Sequence, residues 1–446
     1  MTEPLFPLPE PTPVPNVHRT ARPRVEKANR QQMEMRLSSL EELLPEDHRA
    51  RLVWEVVKGY DLSAFYARIQ AIEGEAGRPA IDPSLLVAVW LYATLEGVGS
   101  ARSVDRLCRE HLAYQWLLGG VSVNYHTLAD FRVDYEEELD ALLTHSVAAM
   151  MKEGLVDLEQ TAQDGVRIRA SAGASSFRRA ETLEECLREA EAHILQLKTE
   201  NDTPGSTDTS RRQAAARERA ARERVERVRQ ALKEVEKIEK KNNKNRETRR
   251  KHRPVRASTS DPEARITKMP DGGFRPAYNG QLNVDMDSRI IVGVELSNEA
   301  DTHLLEPMLD QTKDRYDKMM AEHYVDGGFR SNANVEAAEE NEVKLYSPIP
   351  RSYNKNSSKK PEDILPSDSL PVREWKQRMV TEDAKEKYKG RAATVEWANA
   401  LLRNRGLWRF LVRGLKKARA VLLWYALAHN LMQGMNLRPE RQMVGA

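Results

Sequence analysis

Residues Thr161–Ala170 read TAQDGVRIRA. Ala162, Val166, Ile168 and Ala170 share one parity, while Gln163, Arg167 and Arg169 take the other, which is the alternation of a strand with one buried face. Asp164 falls on the apolar side. A carboxylate there loses hydration, so it has to be ion-paired, hydrogen-bonded, protonated or bound to a cation. The same stretch marks a change of period. Residues 33 to about 155 are patterned as helices, and from 157 onward the pattern is that of a mixed α/β layer.

Composition narrows the setting without naming a partner. Of 446 residues 31% are charged, yet 70 lysines and arginines against 68 acids leave a net charge of only +2. Any basic surface must therefore be local. Cys108 and Cys186 cannot make a disulfide framework, and neither has a metal-motif neighbour. Seven prolines by residue 23 make residues 1–32 an extended arm without a secretory signal pattern. The longest apolar run, Ala420–Ala428, is far short of the ~20 residues that span a bilayer. The expectation is a soluble, cytoplasmic chain without membrane contact. No GxxxxGK[ST] loop occurs, so no nucleotide cofactor is expected.

Upstream of the strand, IDPSLLVAVWLYATLEG (81–97) is apolar nearly all round and reads as a buried helix entered through Pro83. The shorter pieces at 101–109, 113–118 and 127–135 suit either a helix-turn-helix DNA-binding domain or plain helical packing, and no arginine-rich recognition face is visible. His126, Thr127 and Arg132 are the candidate DNA contacts of this 33–155 domain.

Downstream, a helical insertion over 175–256 interrupts the α/β region. Leu183, Leu187, Ala190, Ile194 and Leu197 step by four and three, and Val225, Val228, Leu232, Val235 and Ile238 line a second helix, predicting a helical hairpin. Residues 211–256 hold 19 lysines and arginines against 7 acids. Within RERAARERVER the i,i+4 pattern fits a solvated, paired face. The tail after it, with Arg249, Arg250, Lys251 and Arg253, fits phosphate contact without sequence readout. Strands follow at 277–285 and 290–296, then a helix over 302–319 interrupted or restarted at Pro307. A short strand over 321–328 ends at Asp326, a lysine- and proline-rich loop spans 350–372, and the C-terminus is helical from 391, with GLWRFLVRGLKKARAVLL continuing as helix.

Three acids sit at edges of these elements: Asp164 in the first strand, Asp326 ending the last, and Glu396 near a helix start with Asn399, Ala400 and Arg403 on its face. If the two strands are neighbours, the two aspartates meet, and oxygen-rich clusters favour Mg²⁺ or Mn²⁺. Taken singly, each acid also has a plainer reading: a strand-end turn, an Asx-turn and a helix surface charge.

The blocks AQDGVRIRASAGASSFRR, GGFRPAYNGQLNVD, YVDGGFRS and YKGRAATVEWANALLRNRGLWRFLVRGL, in this order, resemble bacterial insertion-sequence transposases of the DDE class, in the branch with a Tyr–Arg–Glu signature. The resemblance covers roughly residues 35–435. It implies an RNase H-like catalytic core over 156–435, a helical N-terminal DNA-binding domain and a short tail at 436–446. Asp164, Asp326 and Glu396 match the catalytic triad that binds two Mg²⁺ (or Mn²⁺) ions. Tyr388 and Arg391 match the signature, and Arg403 stands where the signature has lysine. Four residues rather than three separate Arg391 from Glu396. The implied activity is cutting double-stranded DNA at the element's terminal inverted repeats and joining the 3′-OH ends to target DNA, by a homo-oligomer. A nuclease or resolvase without strand transfer would share the triad, and an inactive DNA-binding derivative is the remaining reading.

Overall fold

Among the described residues seven α-helices precede the sheet: α1 (Arg49–Lys58), α2 (Ser63–Ala67), α3 (Pro83–Leu95), α4 (Ala101–Glu110), α5 (Leu112–Leu118), α6 (Tyr125–Asp134) and α7 (Glu136–Lys152). The computed structural model describes residues 31, 33, 38–71, 74, 79–201, 208–244, 254–349 and 363–444. The arm at 1–32 therefore lies almost wholly outside the described residues, as do Arg249, Arg250, Lys251 and Arg253. The all-round apolarity of α3 places it centrally, with every residue from Leu86 to Leu95 buried. Asp82 caps it by accepting from the Ser84 amide at 2.8 Å, with Pro83 at the first helical position, where no amide is missed.

The α/β region runs β1 (Gln160–Arg169), β2 (Phe177–Arg178), α8 (Ala180–Asn201), α9 (Asp208–Lys244), β3 (Ala257–Ser258), β4 (Arg265–Lys268), β5 (Phe274–Asp285), β6 (Ile291–Ser297), α10 (Leu305–Tyr316), β7 (Glu322–Val325), α11 (Asn332–Glu340), β8 (Lys344–Tyr346), α12 (Leu370–Met379), α13 (Glu382–Arg391), α14 (Trp397–Asn404) and α15 (Leu415–Val444). The main sheet has the order β4-β5-β1-β7-β8, with β6 also on β5. β1 is central, antiparallel to β5 and parallel to β7. Because it is central, its polar parity is buried too. Thr161 and Gln163 are fully buried, Thr161 bonded to His323 at 2.8 Å and Gln163 to Gln281 at 2.9 Å. The one-faced strand expected from the alternation is thus corrected: α10 covers the second face, and Gln163 donates to the Leu304 carbonyl at 3.0 Å.

One apolar core runs from Leu44 to Leu431, and residues from Leu40 onward form one compact unit. The long helix α15 binds its two sides. Trp424 donates to the Arg132 carbonyl at the end of α6, and Asn430 closes both main-chain groups of Ile291 on β6 at 2.8 Å. Among the described residues no helix is long and apolar enough to cross a membrane.

The insertion is a pair of packed helices. Leu183, Ala190 and Leu197 of α8 and Val225, Val228 and Val235 of α9 are buried, and Arg229 reaches Glu191 at 2.7 Å. The seam is satisfied within the pair, and Arg222–Glu218 and Arg227–Glu223 pair along α9 as its charge spacing implies. The short β2–β3 ladder closes the base, and Lys241 ties α9 to Glu299 at 2.7 Å.

Near Pro307 the helix restarts, as expected: a 3-10 turn at Asp301–His303 gives way to α10 from Leu305, with Pro307 in its first turn, where its amide has no helical partner. α11 and β8 come from a polar stretch that gives little periodic signal and carries no expectation. One expectation fails locally. The helix expected through 406–414 starts only at Leu415: Gly406 and Gly414 take positive φ, and the stretch instead pairs with the end of β1.

Gly165 sits where β1 passes closest to its neighbours. A Cβ there would come within 2.5 Å of Asp301 Oδ1, 2.7 Å of Gln281 Nε2 and 2.8 Å of Asn279 Oδ1. Gly165→Ala is expected to destabilise the fold by about 1–3 kcal/mol, read from the urea midpoint at constant m. An unchanged midpoint would contradict this packing.

Candidate active site

The parallel register pairs Gln163 with Val325, so Asp164, in the middle of β1, lies beside Asp326, the first residue past the end of β7. This is the carboxyl end of β7, where a parallel pair opens a crevice. Asp326 turns the chain immediately: its Oδ1 accepts from the Gly328 amide at 2.7 Å. The Asx-turn is therefore present, and it aims the loop rather than competing with the site. Thr302 donates to the Gly328 carbonyl at 2.9 Å and Asn334 to the Thr302 carbonyl at 2.9 Å, which fixes the loop from α11.

The third acid arrives from the C-terminal helices. Between α13 and α14 the residues Ala392–Glu396 form a π-helical turn. A wider turn returns residue i+5 to the face of residue i. It thereby absorbs the fourth residue between Arg391 and Glu396: Arg391 Nη1 lies 3.6 Å from Glu396 Oε1. Arg391 Nη2 also donates to Asp164 Oδ1 at 2.9 Å, and Asn399 Nδ2 donates to Asp164 Oδ2 at 3.0 Å. Tyr388 donates to the Val325 carbonyl at 3.1 Å, holding α13 on the end of β7.

The sites expected from sequence divide accordingly. Asp164, Asp326, Glu396, Tyr388 and Arg391 come together. Arg403 lies on the far turn of α14, half-buried, with no ion pair among the described residues. Arg132 is buried, its guanidinium over the Trp90 ring and bonded to the Gly99 carbonyl, so it braces the helical bundle. His126 is exposed and Thr127 half-buried at the start of α6. Asn399 and Asp301 did not stand out in the sequence as site residues. Asn399 had a signal, a buried amide three residues after Glu396. Asp301, which takes Arg167 at 2.9 Å, Asn279 at 2.7 Å and Gln281 at 2.9 Å behind Gly165, had none.

Charge at the site is unbalanced. Burial pushes the Asp164 carboxyl up to about 6; Arg391 opposes this, while Asp326 and Glu396 add to it. Two buried polar atoms have no partner, Nε of Arg391 and Oδ1 of Asn399, in residues only 7% and 5% exposed. Glu396 stays open, its side chain 60% exposed. Asp164, Asp326 and Glu396 offer hard oxygen atoms, the donor type that suits a divalent cation, and Asp326 and Glu396 both act on Asp164 electrostatically. As placed here, though, no three His, Cys, Asp or Glu side chains among the described residues are grouped closely enough to hold a metal ion. Arg391 is the positive charge between Asp164 and Glu396.

The family Transposase domain (DUF772) matches residues 38–134, and the family Transposase DDE domain matches residues 247–431. No curated protein and no solved structure matches the chain. The first match covers the helical region and the second contains Asp326, Tyr388, Arg391 and Glu396; Asp164 lies between them. The two matches, in this order, make the chain a transposase. It belongs to the insertion-sequence transposases of the DDE class.

Because the Asp164 carboxyl is raised from 3.8 to about 6, the folded chain holds this proton more tightly than the unfolded chain. That contribution to stability is full below about pH 4 and is lost as pH rises through about 6. Relative to Asp164→Asn, the wild type is expected to lose up to about 3 kcal/mol between about pH 4 and 7 in metal-free buffer. Parallel stability–pH curves for the two proteins would contradict this.

Proposed function

We propose that this chain cuts double-stranded DNA at the ends of an insertion sequence and joins the freed 3′-OH ends to target DNA, using Asp164, Asp326 and Glu396 on an RNase H-like core. The observation that carries the reading is the β1–β7 register, which sets Asp164 beside Asp326. The tie through Arg391 to Glu396 supports the third member. Asp164, Asp326 and Glu396 would hold two Mg²⁺ or Mn²⁺ ions. Bound there, the ions would supply activation of the attacking oxygen and stabilisation of the leaving one.

The chain's own residues account for the rest. Asp164, walled in by Arg391 and Asn399, is the fixed member of the set; the exposed Glu396 faces the side from which DNA can approach. Arg391 offers a guanidinium to a phosphate oxygen as it turns from Asp164, its unpartnered Nε adding a donor. Tyr388 keeps α13 seated while this happens. In the first step a water oxygen bonds to phosphorus and the 3′ oxygen leaves as a hydroxyl. In the second the 3′-OH oxygen gives up its proton and bonds to a target phosphorus, while the target strand's 3′ oxygen leaves and takes up a proton, with no covalent protein–DNA bond. Handling two ends requires more than one copy, so the active form is a homo-oligomer on DNA.

Cleavage of a labelled duplex carrying the element's own end, with Mg²⁺ or Mn²⁺, tests this. Asp164→Asn, Asp326→Asn and Glu396→Gln should each lower cleavage by about 10²–10³-fold or more while still binding the end. Undiminished cleavage would remove the triad. Cleavage by the wild type without joined products would favour a nuclease, and binding without cleavage a DNA-binding derivative.

A further inference from the structure

Both oxygens of Asp164 are engaged from the C-terminal helices. Arg391 Nη2 donates to Oδ1 at 2.9 Å, and Asn399 Nδ2 donates to Oδ2 at 3.0 Å. The same guanidinium reaches on to Glu396, with Nη1 3.6 Å from Oε1. One side-chain cation therefore spans two of the three acids that a divalent ion would have to share. Asp326 acts on Asp164 from the other side as a like charge.

This bridge differs from the other arginine contact on β1. Arg167 meets a single carboxylate, Asp301, which also accepts from Asn279 and Gln281. Arg391 is divided between two carboxylates with a third close by, and its own Nε is buried without a partner. The guanidinium is thus the only positive group contacting Asp164 and Glu396 among the described residues, yet it is left with an unused donor.

A divalent ion drawn to the same two carboxylates meets this guanidinium as a like charge, in a place where burial leaves little screening. Its affinity for the site then depends on what it takes to move Arg391 aside. A DNA phosphate lowers that cost, because it offers the guanidinium a bidentate partner in exchange. The surroundings allow the side chain to turn while the backbone stays. Tyr388, one turn earlier on α13, is tied to the Val325 carbonyl, and Asn399 on α14 keeps its hold on Asp164 independently of Arg391.

We propose that Arg391 is an internal counter-cation that competes with the divalent ion for Asp164 and Glu396. In the DNA-free chain it keeps the hold on the ion weak. A DNA phosphate draws it off, so metal and DNA bind cooperatively, and Asn399 is the positioning residue that keeps Asp164 aimed during the exchange. This rests on the reading of Asp164, Asp326 and Glu396 as the metal site and adds the order in which that site fills.

The test is Mn²⁺ binding, followed by loss of the free ion's electron paramagnetic resonance signal, for wild type, Arg391→Gln and Arg391→Lys. Each is titrated with and without a duplex carrying the element's own end, and melting curves check each fold. Asp164→Asn, titrated alongside, accounts for ions held elsewhere on the protein or by the DNA. Without DNA, Arg391→Gln should bind Mn²⁺ about 10-fold more tightly than wild type, a coupling of ordinary size. Arg391→Lys keeps the charge and should stay near wild type. The duplex should tighten wild-type Mn²⁺ binding by a similar factor and that of Arg391→Gln by clearly less. A purely structural tie predicts the opposite order, because losing Arg391 would loosen Asp164 and weaken the ion. Arg391→Gln that binds Mn²⁺ no more tightly than wild type overturns the exchange and leaves the metal site standing. If Arg391→Gln does not fold, the wild type decides alone: an Mn²⁺ affinity that the duplex leaves unchanged overturns the exchange. Mn²⁺ binding that never depends on Asp164, with or without duplex, overturns both this inference and the proposed function.

Discussion

A single carboxylate, Asp164, is placed where water cannot hydrate it fully, and much of the structure around it answers that placement. Its two oxygens are taken by Arg391 and Asn399, from two helices that follow it by more than two hundred residues. The π-helical turn between those helices allows both contacts at once, because it sets Arg391 and Glu396 on one face and leaves Asn399 one turn further along. The helical C-terminus is in this way tied to the central strand by a buried ion pair, and breaking one partner of such a pair strands the other. The arrangement nevertheless remains short of positive charge. Asp326 and Glu396 both press on Asp164, and one guanidinium faces three carboxylates.

The second face of the same strand does the opposite job. Behind Gly165, Asp301 collects Arg167, Asn279 and Gln281 in a network satisfied almost throughout. Thr302 next to it pins the loop that carries Asp326. One face of β1 thus holds charge that is underbalanced and partly open, while the other holds charge that is matched and closed. The closed side fixes the backbone so that the open side can stay strained in charge without moving.

Much of this was legible in the sequence, for identifiable reasons. The period-two run around Asp164, the all-round apolarity of 83–95 and the four-three stepping from Leu183 are signals that one segment carries by itself. The pairing of Asp164 with Asp326 was legible only as a conditional, since strand adjacency is not written in either strand. Asp301 was not legible: its partners lie on β1 and β5, and nothing within its own neighbourhood distinguishes it from a helix-capping aspartate. Arg132 read as an exposed donor because its helix is short and polar at the start, yet Trp90 and Gly99 enclose it. The stretch 405–414 read as helix because its apolar spacing is helical; two glycines at positive φ and the free end of β1 compete successfully for it.

The central claim is that Asp164, Asp326 and Glu396 together hold the two divalent cations proposed for this site. It is tested most directly by replacing Mg²⁺ with Fe²⁺ and letting ascorbate-driven hydroxyl radicals cut the polypeptide beside the bound ion. The account predicts backbone cuts near residues 164, 326 and 396 together, all suppressed by excess Mg²⁺ and all lost in Asp164→Asn. Cuts at only one of these positions, or cuts that persist unchanged in Asp164→Asn, would contradict it.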